Sequence, residues 1–295
     1  MDGKTIDSVD HCSGQTLNEL QKLHSKQLQA ALNIDFSTAS IEVRCLLQAV
    51  LQVNHAYLIS HPAYQLSGEQ YANFSASVQR RLSGEPIAYI LGEREFFGLN
   101  FVVSPATLIP RPETELLVEL ALQRIPSQGA CRVLDMGVGS GAIALSLARE
   151  RPNIRVVAVD ASEAALEIAR LNMLQHDLKN VKLLHSDWFT GLRGERFDVI
   201  VSNPPYIAAG DAHLTHGDLR FEPHTALVSG TDGLDDVRRI CAQAKSHLNA
   251  SGYLLLEHGY NQAESVRALL RQSGFSDEFS AKDIAEIERV SGGKI

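Results

Sequence analysis

The stretch Val133-Leu134-Asp135-Met136-Gly137-Val138-Gly139-Ser140-Gly141 decides the fold. A run of strand-forming apolar residues passes through three alternate glycines into a segment expected to be helical over about 141–150. Residues without side chains let the backbone turn tightly and approach a ligand closely. The next apolar run, Arg155-Val156-Val157-Ala158-Val159-Asp160, ends in a carboxylate able to accept both hydroxyls of a ribose. That spacing fits dinucleotides and S-adenosylmethionine alike. Asp135 ahead of the loop, and the order G-x-G-x-G in place of G-x-G-x-x-G, favour S-adenosylmethionine.

Downstream, the run Phe197-Asp198-Val199-Ile200-Val201 reads as a buried strand and leads into Asn203-Pro204-Pro205-Tyr206. Two prolines fix φ and remove amide donors, leaving a stiff turn rich in acceptors. The Asn203 side-chain oxygen and the Pro204 carbonyl can each take one hydrogen of a planar NH₂ group, and Tyr206 can stack on the planar target. Between these landmarks, His185-Ser186-Asp187-Trp188-Phe189 ends a third strand. The Trp188 ring at this position serves either as a wall for an adenine, with Asp187 as an acceptor beside it, or as packing under the sheet edge.

Strands are expected at 132–137, 155–160, 181–186, 197–202 and 252–258. Helices are expected at about 141–150, 162–176, 234–249 and 261–273. This alternation implies an α/β fold, a doubly wound and mostly parallel sheet covered on both faces, with ligand at the carboxyl ends of its strands. The segment from Ile207 to Gly233 is too long for a plain connection and is expected to be a functional loop over that site.

The preceding part of the chain has a different character. From Thr16 to about Gly92, Leu17, Leu20, Leu23, Leu28, Ala31 and Leu32 recur at helical spacing. Ser40 is a candidate cap for a second helix, and Ser67 with Gln70 forms a candidate capping box before Tyr71, Phe74 and Val78. Four or five short helices are expected. Phe96, Phe97, Leu99, Phe101 and Val103 then suggest a β-hairpin turning at Gly98-Leu99-Asn100. Pro112, Glu113 and Glu115 suit the first turn of a helix reaching about Arg124.

Composition bounds the rest. The 295 residues are 44% hydrophobic and 21% charged, with a net charge of −8, which argues against stable nucleic-acid binding. Cys12, Cys45, Cys131 and Cys241 contain no Cys-x-x-Cys pair, so a reducing, cytoplasmic setting is expected. No apolar run reaches the roughly 18 residues of a membrane helix. Met1 to Gly14 is polar with three aspartates and reads as a flexible tail. His213, His216 and His224 match no common metal spacing, so no metal is expected. His258 beside Glu257 reads as a structural strand-end histidine.

Several stretches together carry a resemblance: Gly84-Glu85-Pro86-Ile87-Ala88-Tyr89-Ile90-Leu91-Gly92, Glu95-Phe96-Phe97-Gly98, Leu108-Ile109-Pro110-Arg111-Pro112-Glu113-Thr114-Glu115, the glycine loop, Asn203-Pro204-Pro205-Tyr206, Phe221-Glu222-Pro223, Asp232-Gly233-Leu234 and Leu254-Leu255-Leu256-Glu257-His258-Gly259. From about Gln15 onward the chain resembles the bacterial methyltransferases that modify a glutamine of peptide chain release factors, members of the class I S-adenosylmethionine-dependent methyltransferases. The resemblance implies that Gly137, Val138, Gly139, Ser140 and Gly141 hold the methionine part of the cofactor, Asp160 its ribose, and Asp187 and Trp188 its adenine. It implies that Asn203, Pro204, Pro205 and Tyr206 bind the glutamine of a Gly-Gly-Gln motif, with Asn203, Pro204 and Tyr206 as the catalytic set and Asn203 also beside the cofactor. Arg111 and Glu113 lie in a stretch typical of the release-factor enzymes. The implied organisation is a tail at 1–14, a helical substrate-recognition domain at 15–92, a hairpin linker at 93–110 and a methyltransferase domain at 111–295, acting as a monomer. Val138 stands where the family usually has Thr or Ser, and Ser229 where it usually has Gly. Two other enzymatic readings stay open on sequence alone, a glutamine methyltransferase of a ribosomal protein and an adenine amino-group methyltransferase. A third is a non-catalytic helper of release factor or ribosome.

Overall fold

The computed structural model describes residues 14–295. The expected tail lies, apart from Gly14, outside the described residues. Two compact units divide between Leu91 and Gly92.

The first unit holds helices α1 (Leu17–Leu32), α2 (Phe36–Leu51), α3 (His55–Ser60), α4 (Gly68–Leu82) and α5 (Ile87–Leu91). The starts of the first four are set by side chains that satisfy the free amides of a first turn. Thr16 with Glu19 and Ser67 with Gln70 form reciprocal capping boxes. Ser40 does not cap the second helix. Asp35 does, accepting from the Thr38 amide at 2.9 Å, and Ser40 lies one turn inside, where it accepts from Gln21. The apolar stripes meet in a core that includes Leu20, Leu28, Val43, Leu47, Phe74 and Val78. Beside it, buried Arg81 pairs with Glu42 at 2.8 Å and bonds the Gly84 and Glu85 carbonyls. Four hydrogen bonds from the guanidinium, two of them to Glu42, offset the desolvation that such a pair costs.

The second unit opens with a hairpin, β1 (Glu93–Phe96) and β2 (Leu99–Val102). The turn is shorter than the Gly98-Leu99-Asn100 expected. Phe97 and Gly98 alone form it, both at positive φ, and Leu99 and Asn100 already belong to β2. A two-residue loop with both φ positive matches the twist of the flanking strands. A 3₁₀ turn at Pro112–Thr114 leads into α6 (Glu115–Arg124). There follow β3 (Arg132–Met136), α7 (Ala142–Glu150), β4 (Arg155–Asp160), α8 (Glu163–Gln175), β5 (Val181–His185), β6 (Phe197–Ser202), α9 (Asp235–Ala244), β7 (Leu248–Glu257), α10 (Ala263–Gln272), β8 (Ser276–Lys282) and β9 (Glu288–Lys294).

The seven-stranded sheet has the order β5-β4-β3-β6-β7-β9-β8, with every strand in one direction except β9, which is antiparallel to both its neighbours. Alternate residues of the central strands face opposite layers. Val133, Val156, Ala158, Val199 and Val201 pack with α6, α7 and α8. Leu134, Met136, Val157, Ile200, Leu254 and Leu256 pack with α9 and α10. Burial on both faces explains the continuous apolar runs of β3, β4 and β6.

Two elements depart from the sequence reading. The helix expected to reach 249 ends at Ala244, passes through a 3₁₀ turn, and gives way to a strand starting at Leu248, four residues earlier than expected. Leu248 pairs with Phe197, so tertiary pairing claims it. The antiparallel pair β8 and β9 was not expected at all. Its residues are polar or glycine over Ser276-Asp277-Glu278 and Ser291-Gly292-Gly293, and the pairing of β9 with β7 supplies what propensity does not.

Asn172 of α8, fully buried, holds the hairpin to the glycine loop. Its oxygen accepts from the Val102 amide at 2.7 Å, and its NH₂ donates to the Val102 carbonyl at 2.9 Å and the Ser140 carbonyl at 2.8 Å. Asn172→Ala strands three backbone groups, two of them half-buried, and is expected to lower the unfolding free energy by roughly 1–3 kcal/mol, read as a fall in the urea midpoint at unchanged slope.

Candidate active site

Strand register builds the site. Met136 of β3 pairs with Val159 of β4 on one side and with Ser202 of β6 on the other, and Ser202 pairs with Leu256 of β7. The next residue of each strand is therefore Asp160, Gly137, Asn203 and Glu257, in a row across the carboxyl edge of the sheet. The chain leaves β3 toward β4 and returns to β6 on the other side of β3. The crevice at that reversal is where doubly wound sheets bind ligands. A cavity of about 610 Å³ opens there.

Of the residues singled out in the sequence, Arg111, Gly137, Val138, Gly139, Ser140, Asp160, Asp187, Trp188, Asn203 and Pro205 line this cavity. Gly141, Glu113, Pro204 and Tyr206 are not among the lining residues. Gly141 closes the loop at φ +92 as the cap of α7, Glu113 is exposed, Pro204 is buried, and Tyr206 is partly buried with its carbonyl accepting from Gln262 at 3.0 Å. Burial, reinforced by the Glu257 carboxylate, pushes the Tyr206 phenol above its ordinary range.

The loop geometry follows from its glycines. Gly137 has φ +76 and Gly139 φ +53. A Cβ added at Gly137 would stand 3.9 Å from the Trp188 ring and 4.0 Å from the Asn203 carbonyl, facing the space these residues enclose. The turned Gly139 amide donates to Asp160 at 2.9 Å, and the Ser162 amide donates to the other Asp160 oxygen at 2.9 Å. Two backbone donors hold the carboxylate at the cavity wall, each oxygen keeping a lone-pair direction for a diol. Burial raises its pKa and these donors counteract part of the rise. Asp135, wholly buried under the loop, accepts from the Ala144 amide at 3.0 Å, and its other oxygen has no partner. Burial pushes it up to about 7.

Trp188 is partly buried at φ +49, its indole N–H donating to Asp236 at 3.1 Å. Asp236 in turn accepts from the Ser229 hydroxyl at 2.8 Å, so Ser229 anchors the long loop to the wall of the cavity. Asp187 is paired with Arg239 at 2.9 Å and is exposed. Arg111 is ion-paired with Glu222, which also accepts from the Ile109 amide at 3.1 Å. Burial raises the Glu222 pKa against the pull of Arg111. Pro223, Thr225 and Ala226 bring the 207–233 segment to the cavity rim.

Sequence reasoning did not single out Thr114, Glu222, Asp236 or Arg239 as site residues. Thr114, Asp236 and Arg239 line the cavity. Thr114 accepts from the Asn203 NH₂ at 3.2 Å. These residues come from three separated segments, and no local spacing signals their convergence. Among the described residues no cluster of His, Cys, Asp and Glu is placed to hold a metal ion, and no helix is long and apolar enough to cross a membrane.

Residues 113–220 match the methyltransferase small domain, and residues 19–92 match the PrmC N-terminal domain. The release factor glutamine methyltransferase of Xylella fastidiosa (strain Temecula1) is 48% identical over 254 residues, spanning 86% of this chain and 92% of the relative. This chain belongs to the release factor glutamine methyltransferase family. The Escherichia coli K12 member is 46% identical, over 86% of this chain and 91% of its own length. A Thermus thermophilus 16S rRNA N2 G1207 methyltransferase, solved in complex with AdoMet and guanosine, superposes with a TM-score of 0.51 at 24% identity, covering 68% of this chain and 49% of that one, and shares the fold.

Two measurements check this site. Trp188 is the sole tryptophan, so its emission should change saturably on titration with S-adenosylmethionine, and Gly137→Val should abolish the change by placing a strained side chain in the cavity. The raised pKa of Asp135 carries a stability signature. Between its ordinary value of 3.8 and about 7, the unfolded chain releases a proton that the folded chain keeps, so stability falls as pH rises through that window. Asp135→Asn should flatten part of this decline in urea midpoints measured at about pH 5 and about pH 8.

Proposed function

We propose that this protein transfers one methyl group from S-adenosylmethionine to the side-chain amide nitrogen of the glutamine in the Gly-Gly-Gln motif of peptide chain release factors. Family membership supports the reaction. The observation that carries the site assignment is the register that sets Asn203 beside Gly137, an amide acceptor next to a glycine cradle on adjoining strand ends.

The donor set fits the cofactor. Positive-φ glycines offer backbone approach for the methionine part, Asp160 accepts from the ribose, and Trp188 provides an aromatic face for the adenine. S-adenosylmethionine supplies a methyl group already activated on a sulfonium, so the protein contributes chiefly position and exclusion of water.

The amide nitrogen is a poor nucleophile because its lone pair is delocalised into the carbonyl. Asn203 Oδ1 and the Pro204 carbonyl take its two hydrogens and hold the lone pair along the transfer line. As the nitrogen gains its bond to carbon, those hydrogens become more acidic, and both acceptors bind the transition state more strongly than the ground state. The leaving proton passes to water. Pro205 stiffens the turn, and Tyr206 bounds the slot for the planar amide. Arg111 and Glu113 belong to the segment that meets the release factor, with Glu222 keeping Arg111 in place. The helical unit ending at Leu91 serves substrate docking. A monomer acting in the cytoplasm, without stable nucleic-acid binding, fits this substrate.

Mass spectrometry of a purified release factor incubated with the protein and S-adenosylmethionine should show a single added methyl on the Gly-Gly-Gln glutamine. Asn203→Ala should lower kcat by roughly 10²–10³-fold, the loss typical of one preorganised hydrogen-bonding group. Absence of the methyl from release factor, with label appearing on a ribosomal protein or DNA, would overturn the substrate assignment.

A further inference from the structure

We infer that Thr114 and Glu257 form a buried relay behind Asn203 that fixes which end of its carboxamide faces the cavity, making both of them positioning residues for the methyl-accepting amide. The inference rests on the function just proposed.

Glu257 ends β7 beside Asn203, and both it and Thr114 are buried, at 2% and 4% exposure. The Asn203 NH₂ donates to the Thr114 hydroxyl at 3.2 Å, and the polar side chains of Thr114 and Asn203 lie beside the Glu257 carboxyl and pull its pKa down against the effect of burial. The charges of Glu113 and of Arg289 from β9 also act on that carboxyl, in opposite directions. Thr114 and Asn203 line the cavity and Glu257 does not.

In its ionised form, populated above about pH 7, the Glu257 carboxylate can only accept. Next to it, the Thr114 hydroxyl directs its proton toward Glu257 and turns a lone pair to Asn203. That lone pair selects the NH₂ end of the carboxamide and leaves Oδ1 toward the cavity, where the substrate amide needs an acceptor. A carboxamide turned by 180° would present its own N–H groups to the substrate NH₂ and repel it. Primary amides are nearly symmetric in shape, so packing cannot choose between the two orientations; a polarised hydrogen-bond chain can. Stability does not explain the carboxyl. Its Oε2 has no partner, and burial pushes the group up to about 7. An unpaired buried polar oxygen costs stability, so an uncharged replacement is tolerated structurally.

The test compares Thr114→Val, Thr114→Ser and Glu257→Gln with the wild type, measuring kcat and KM for release factor, S-adenosylmethionine affinity by Trp188 emission, and Tm. Thr114→Val should lower kcat by roughly 10–100-fold, as loss of a fixed acceptor does. Cofactor affinity and Tm should stay close to wild type, and Thr114→Ser should restore kcat. Glu257→Gln should lower kcat without lowering Tm. In protein labelled with ¹⁵N-asparagine, the Asn203 NH₂ protons should exchange slowly in the wild type and faster in Thr114→Val. Wild-type kcat in both Thr114→Val and Glu257→Gln, no rescue by Thr114→Ser, or equal Asn203 exchange in all variants would overturn the relay. If the wild type does not methylate release factor, the proposed function fails, and the exchange comparison still decides the relay. Should Thr114→Val not fold, Glu257→Gln and Thr114→Ser carry the comparison.

Discussion

The pairing of β3 with β6 is the constraint on which the rest of the site depends. These parallel neighbours end level, at Met136 and Ser202, and the chain leaves them toward opposite sides of the sheet. No helix can cover the gap that this reversal opens. The loops that follow the two strands must therefore line a crevice, and their residues meet although 66 positions separate them along the chain. The bond from the Ser202 hydroxyl to the Met136 carbonyl at 2.7 Å locks the register. A shift by one residue would send the apolar sets of β6 to the wrong layers.

Around this crevice the protein holds polar groups where burial works against them. Asp135, Asp160, Glu222 and Glu257 are all pushed above the ordinary carboxylate range by burial. Their compensation differs. Asp160 and Glu222 each have more than one donor. Asp135 and Glu257 each keep one oxygen without a partner. Natural cores rarely leave such atoms unsatisfied, and where they do, the cost is borne at functional sites. The clustering of these four carboxyls around one end of the sheet marks the site independently of any motif.

The chemistry this geometry supports is one of placement. A sulfonium methyl is reactive without further activation, and an amide nitrogen gains little from a base that could not deprotonate it at neutral pH. Acceptors of fixed direction serve it better. The stiffness of Pro204-Pro205, the helix-capped loop at Gly141 and the buried contacts behind Asn203 all serve to keep acceptors in place.

The sequence by itself determined the local parts. Alternating apolar runs announced the doubly wound sheet, because strands buried on two faces must be apolar throughout. The glycines at 137, 139 and 141 and the acid at 160 announced a ligand loop, because backbone approach and a strand-end carboxylate are local properties. Asn203-Pro204-Pro205-Tyr206 announced a stiff acceptor turn. The spacing of its leucines placed α1 and a capping box placed α4, while the start of α2 went to Asp35 over Ser40, two competent caps that only packing distinguishes. Tertiary structure alone decided the rest. It recruited β8 and β9, whose polar residues form strands only because β7 has an edge to pair. It moved Leu248 out of a helix to meet Phe197. It brought Thr114, Glu257, Asp236 and Arg239 to the residues they serve. Each of these outcomes depends on a partner remote in the chain, and a contact between distant residues leaves no periodicity for the sequence to display.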